Sequence, residues 1–447
     1  MFKHQYIKDK NFLLLFTGTL VSGFGSRIYG FGISLFLLDL TGLATSMSTY
    51  ISIWTFVVFI VSPIAATFTD RWKRKARVLY LTDYGRGIVY ALSGVGVYYF
   101  NNIGNTDMVL TTIYVLLVLI ALQTAFFSPA SSALLPQLVH EDELVSASSL
   151  FQLTRSAQNI AGMAIGAFLY VEFGIVILIL INAASFILSG FSEMFIKYSK
   201  ALNQHKLDET AYQEVEVDKD NNKIMYYTKQ VYSDLSDSVK YIFTKGNPIR
   251  SIIFIIILSL LLVEPYFSIG VPYLIKEYLH FMKLLPDYIL AISSSATSIG
   301  LIVMSIVIAA YIGTKLGIQQ LLKISGFTYV IIVIGYFLTI KFYDDLIINE
   351  NTFLLLFVGF NFISGLASAL INAPINASIS KYVDPNKLGK VVTLMDSFGG
   401  IILPISLMGA GFIIDYLSIY IVIYTLIVGM CIMTLIIFKD RNLAKLK

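Results

Sequence analysis

Apolar runs of about 20 residues, long enough to cross a hydrocarbon core as helices, recur along the chain between polar breaks. They predict spans over 12–39, 47–68, 78–99, 108–128, 145–171 and 174–196. After a long polar stretch, further spans are predicted over 251–275, 288–312, 322–341, 353–378, 389–414 and 417–438. Segments such as Ile252–Val263 and Leu417–Phe438 contain no charged residue, which suits hydrocarbon as their solvent. The first run, from Asn11 to about Leu40, is too long for a signal-peptide core and no cleavage site follows it, so it is expected to stay as the first span. The expected fold is an all-α integral membrane protein of about twelve helices. Its expected parts are a six-helix half over 1–196, a cytoplasmic linker over 197–250 and a second six-helix half over 251–447.

The halves share an internal register. Ser128-Pro129-Ala130 aligns with Ala373-Pro374-Ile375. After a one-residue slip, Ala133 meets Ala377, Leu138 meets Tyr382, Leu144 meets Leu388 and Leu150 meets Leu394. Six spans on either side of a charged linker fit duplication of one unit, which places a binding site between the copies near the bilayer midplane. Within the linker, Ser233 is an expected N-cap, with Leu235, Val239, Ile242 and Phe243 on one face of a short amphipathic helix. The stretch from Val215 to Tyr227, with Asn221 and Asn222 at its middle, fits a small hairpin. The simplest role for the linker is a tether.

Composition sharpens this picture. Charged residues make up 13% of the chain, where soluble proteins average about 25%, and the mean hydropathy is +0.76. Charge bias then orients it. Lys276, Lys283 and Lys341 fall on one side and Arg27, Arg86 and Arg155 within spans, while every other Lys and Arg falls on the side that also holds both termini. By the positive-inside rule that side is the cytoplasm. The net charge of +4 is spread by this topology and not gathered on one face, so no nucleic-acid partner is expected. One cysteine, Cys431, excludes an intrachain disulfide or thiolate metal site. His4, His140, His205 and His280 are scattered, so no metal or other cofactor is expected.

Between spans two and three stand Ala66, Asp70, Arg71, Lys73, Arg74 and Lys75. This string resembles the major facilitator superfamily loop motif Gly-x-x-x-Asp-Arg-x-Gly-Arg-Lys, with Ala66 and Lys73 in place of its glycines. Asp70 can face a helix N-terminus or a basic partner while an inner gate is shut, which makes Asp70, Arg71 and Arg74 candidate gating residues. The alternative is a basic loop that only sets topology. Asp83 and Arg86, three apart in span three, share a helix face and can neutralise each other. The resemblance narrows from Phe127, Pro129 and Ala130 through Leu134, Pro136, Val139, Leu144, Ala147 and Leu150, then Gly162, Gly166, Asn182, Ser185 and Phe186. With Gly389, Pro404, Gly411 and Asp415 in the second half, this pattern is similar to the bacterial macrolide-efflux and enterobactin-exporter branch. It implies the major facilitator fold and proton-driven export of a small amphiphilic compound. The Gly-Pro pair that drug antiporters carry in span five is Gly162-Met163 here; the alternative for Gly162 and Gly166 is close helix packing.

Ionisable residues inside spans cost at least about 2.5–3.5 kcal/mol unless paired or hydrated, and so mark candidate pathways. Arg27, Arg155, Glu264 and Asp396 are such residues. The superfamily resemblance implies that spans one and five face seven and eleven across the cavity, opposing two arginines to two carboxylates. Glu264, beside Pro265, is the first candidate proton carrier and Asp396 the second; a static ion pair is the alternative. Gln123, Asn361 and Asn372 are candidate substrate-orienting groups, although for each taken alone an interhelical hydrogen bond is the favoured reading. The expected protein is a monomeric exporter in a bacterial plasma membrane, surrounded by lipid, with both termini cytoplasmic. A lipid or lysolipid flippase and an uptake symporter use the same scaffold. A membrane enzyme or sensor would gather acid–base residues at one depth, and the nearest string, His140 to Glu143, has no partner cluster.

Overall fold

The computed structural model describes residues 5–72, 74–140, 143–197, 240, 242, 244, 249–278, 286–312, 315–383, 385–440 and 443. The expected amphipathic helix and hairpin of the 197–250 linker lie almost wholly outside them. The described residues are all-helical, with twelve long helical stretches. The first four are α1 (Lys10–Thr41), α2 (Ala44–Arg71), α3 (Lys75–Asn102) and α4 (Thr106–Leu138). The run Leu144–Met194 holds two, α5 (144–173) and α6 (175–194), divided at Gly174, whose φ of 71° and ψ of 177° break the helix. A left-handed φ of this kind strains any residue with a side chain, which is why a glycine joins the two helices.

The second set begins with α7 (249–278), assembled from the α-helix Ile249–Leu258, the π-helical turns Ser259–Val263 and Tyr266–Gly270, and the α-helix Val271–Tyr278. Then come α8 (Pro286–Val307, extended by a π-turn over Ile308–Ile312), α9 (Ile318–Asp344), α10 (Glu350–Tyr382), α11 (Pro385–Tyr416) and α12 (Ile419–Lys439). Ten helices among the described residues are long and apolar enough to cross a membrane. The α3 helix falls short because Lys75, Arg77, Asp83 and Arg86 dilute it. The chain is a multi-pass membrane protein.

Two compact units divide the chain: Met1–Ile33 with Ile53–Val231, and Ser34–Ser52 with Tyr232–Lys447. In the first, the small residues of α5 let α1 approach closely. A Cβ at Gly162 would lie 2.5 Å from Arg27 Cβ, and one at Gly166 would lie 2.9 Å from the Ile28 carbonyl oxygen. With lipid as apolar as leucine, such close backbone packing is what holds helices together. The second unit uses the same device where α8 meets α10: a Cβ on Gly300 would strike the Phe362 carbonyl, and one on Gly365 the Thr297 carbonyl.

The tip of the α1–α2 hairpin, residues 34–52, belongs with the second unit. Asp415, near the end of α11, accepts hydrogen bonds from the backbone N–H of Ala44 and Thr45, both at 2.8 Å, and pairs with the Thr45 hydroxyl. The carboxylate thereby satisfies donors that the first turn of α2 leaves unpaired, at the positive end of its dipole. Ser52 Oγ donates to the Pro404 carbonyl at 2.9 Å, and Lys276 pairs with Asp39 at 2.7 Å.

Candidate functional site

The site begins with a loosened helix. Proline cannot donate a backbone hydrogen bond, so Pro265 disturbs the α7 ladder. The π-turns on either side absorb the extra backbone, a distortion that recurs at functional sites. A carbonyl of the widened region, that of Leu260, accepts a hydrogen bond from Ser406 Oγ of α11 at 2.8 Å. Glu264 stands between the two π-turns, half-buried, its Oε1 accepting from Ser268 Oγ at 2.9 Å.

Beside Glu264 the second unit forms an open pocket of about 370 Å³, in the size range of small-molecule pockets, roughly 300–1,000 Å³. Its walls are aliphatic stretches of α7, Thr297 of α8, Tyr329 of α9, Ser364, Ser368 and Asn372 of α10, and the thioethers of Met430 and Met433 from α12. The Tyr329 hydroxyl meets the Ser364 carbonyl at 3.3 Å and pairs with Ser368 Oγ. One ionisable side chain, a few hydroxyls, an amide and two pliant thioethers suit a small ligand with an apolar body and a polar or cationic end.

Other residues singled out in the sequence separate into groups. Asn372 lines the same cavity as Glu264. Asn361 is buried one layer behind, its Nδ2 donating to the Phe357 carbonyl at 2.9 Å and its Oδ1 accepting from Thr297 Oγ1 at 3.3 Å. It braces Thr297 and does not reach the cavity wall. Asp396 is exposed on α11 and is absent from that wall. In the first unit Arg27 and Arg155 are both exposed, near enough for their like charges to act on one another. Gln123 sits beside Gly85 of α3, and its Oε1 has no hydrogen-bond partner among the described residues. Asp70 and Arg71 end α2, with side chains outside the described set, and Arg74 is exposed.

Asp83 and Arg86 are fully buried and joined by a direct ion pair on α3. The Arg86 guanidinium lies over the rings of Phe127 and Phe186, 4.3 Å from each centroid. Sequence reasoning passed over Tyr329, Ser364, Ser368 and a third buried ionisable group here, Glu193. The last stands in the final turn of α6, where a charge reads as the polar border of a span.

The Major Facilitator Superfamily model matches residues 15–348. The chain belongs to the Major Facilitator Superfamily. Among curated superfamily members, it is 30% identical over 189 residues to the uncharacterized MFS-type transporter YkuC of Bacillus subtilis (strain 168), a match covering 41% of each chain. The chain thus spans less than half the length of the curated relatives it matches. Among solved structures, this superfamily member is similar to a bacterial homologue of the iron transporter ferroportin in its inward-facing state. That match has a TM-score of 0.72 at 13% identity and covers 96% of this chain and 98% of the other. The xylose transporter XylE from E. coli in its inward open conformation matches with a TM-score of 0.62 at 10% identity, covering 95% of each chain. At such identities the likeness is one of fold. That fold and the superfamily relatives are those of transporters, not enzymes.

Proposed function

We propose that this protein is a secondary transporter that exports a small amphiphilic compound, a macrolide-like drug or a secreted metabolite, in exchange for protons. The observation that carries this reading is Glu264, an ionisable side chain on a π-distorted helix, opening on a ligand-sized cavity. A carboxylate at that depth is costly when bare, so it is satisfied either by a proton or by a cationic group of the ligand. Exchange of one for the other couples the two fluxes. Tyr329, Ser368 and Asn372 orient the ligand's polar end, and the methionines adapt to its apolar body.

In this reading the protein acts as a monomer in the bacterial plasma membrane, with both termini in the cytoplasm. The halves over 1–196 and 251–447 alternate access, tethered by the 197–250 linker. Arg27, Arg155, Gln123 and Asp396 belong to the wider pathway. Asp70, Arg71 and Arg74 act at the inner gate, backed by the Asp83–Arg86 pair. The resemblance of Phe127 to Leu150 and of Gly389 to Asp415 to the macrolide-efflux and enterobactin-exporter branch supports export over uptake.

The test is accumulation of a panel of dyes and macrolides in cells expressing wild type or Glu264→Gln, with and without a protonophore. Reduced accumulation that disappears with either treatment is the expected result. Unchanged accumulation with both proteins correctly inserted overturns drug export and points to an endogenous metabolite or lipid as cargo.

A further inference from the structure

A second ionisable site lies in the first unit, on residues that the substrate cavity does not use. Glu193 of α6 is completely buried, and neither of its carboxylate oxygens has a hydrogen-bond partner among the described residues. Its side chain packs against α1, where a Cβ on Gly18 would lie 3.3 Å from Glu193 Cγ. Asp83, also completely buried, lies one turn away in space: a Cβ on Gly190 would lie 3.4 Å from Asp83 Cβ.

The charges do not balance. The cluster holds two carboxyl groups and one guanidinium. The guanidinium pairs with Asp83 Oδ1 and lies 4.3 Å from the ring centroids of Phe127 and Phe186, and its Nε has no hydrogen-bond partner among the described residues. The charged groups that act on Glu193 are Asp83 and Arg86 of α3. Among the described residues, α1 presents Gly18, α4 presents Phe127 to Arg86, and α3 adds the phenol of Tyr84 beside Gly190, while Lys197, four residues beyond Glu193, is exposed. Glu193 also sits in the last turn of α6, the negative end of the helix dipole. A buried carboxyl group without a partner neutralises itself by holding a proton. The Ser189 hydroxyl of α6 lies in the same cluster, within hydrogen-bonding reach of Asp83.

We propose that Asp83, Arg86 and Glu193 form a proton-binding site that keeps one proton on its two carboxyl groups. The proton belongs to the pair, since two coupled acids titrate as one system. With it, the cluster is neutral and α1, α3 and α6 pack closely. Without it, a net negative charge is left completely buried among three helices. The site stands apart from Glu264 and needs no assumption about what is transported or in which direction.

The test is infrared spectroscopy of the purified full-length protein in lipid at neutral pH, reading the C=O stretch of a protonated carboxyl group and its shift in D₂O. Wild type is expected to show this band. Glu193→Gln removes it, because Asp83 alone is balanced by Arg86. Asp83→Asn removes it as well, because Glu193 then becomes the only counter-charge to Arg86. Glu264→Gln serves as the control that leaves this component in place. A wild-type spectrum with no protonated-carboxyl component, or one that Glu193→Gln does not change, overturns the proposal. Both cluster substitutions replace a carboxyl group by an amide of the same shape, and if one fails to fold, the other, compared with Glu264→Gln, still assigns the band.

Discussion

Half-buried Glu264 in one unit and fully buried Glu193 in the other show opposite ways of keeping a carboxyl group inside a membrane protein. Around Glu264 the helix is loosened by two π-turns and a proline, and the side chain faces about 370 Å³ of open space edged by hydroxyls. Around Glu193 the space is filled: helices meet at glycines, aromatic rings cover the one cation, and the carboxyl group is sealed off. The same functional group therefore meets different ligands. A hollow site admits a molecule, whereas a packed one admits nothing larger than a proton. Packing density around the carboxyl group, more than its presence in a span, separates the two chemistries.

Substitutions can pull that contrast apart. The largest effect is expected from Glu264→Gln, which should abolish proton-dependent transport while leaving the purified protein's melting temperature near that of wild type. Next comes Gly365→Ala, on the wall behind the cavity. Its methyl would meet the Thr297 carbonyl of α8, so we expect a loss of roughly 3 kcal/mol, the upper end for overpacking, read by thermal unfolding in detergent. Phe127→Leu removes one aromatic face from Arg86 on the packed side. It should cost about 1–2 kcal/mol, as for a desolvated cation–π contact, and leave ligand binding unchanged. The smallest effect is expected from Tyr329→Phe. Losing its hydrogen bonds should cost about 0.6 kcal/mol, typical of polar contacts between membrane helices, while ligand affinity falls because the cavity loses a hydroxyl. If Phe127→Leu weakened ligand binding as much as Tyr329→Phe does, the two sites would not be separate.

Much of the architecture can be read from the residues in order. The apolar runs and their polar breaks predict twelve helices, and the loop motif around Asp70 points to the superfamily to which the chain belongs. Glu264 beside Pro265 stands out as an acid next to a helix breaker. The partners of these groups are a different matter. Asn361 and Asn372 look alike in sequence, yet one braces Thr297 from behind and the other lines the cavity. Tyr329 is one of 28 tyrosines and nothing local distinguishes it. Glu193 resembles the first charge of a linker. Only the position of α6 against α1 and α3 reveals that it is enclosed.

Hydropathy along the chain determined which segments form the long apolar helices, because transfer of apolar residues from water depends on composition and length, but the helices run past the expected ends, α4 to Leu138 where 128 was expected. The spacing of Asp83 and Arg86 likewise placed them on one helix face. The tertiary structure decided which side of each helix faces lipid and which faces protein. In hydrocarbon both surroundings are apolar, so the periodicity that marks the inside of a soluble protein is faint here. The cavity at Glu264, the brace at Asn361, the Asp415 cap on α2 and the enclosed carboxyl group of Glu193 all depend on which helix lies beside which. They follow from close packing at glycines far apart in the chain.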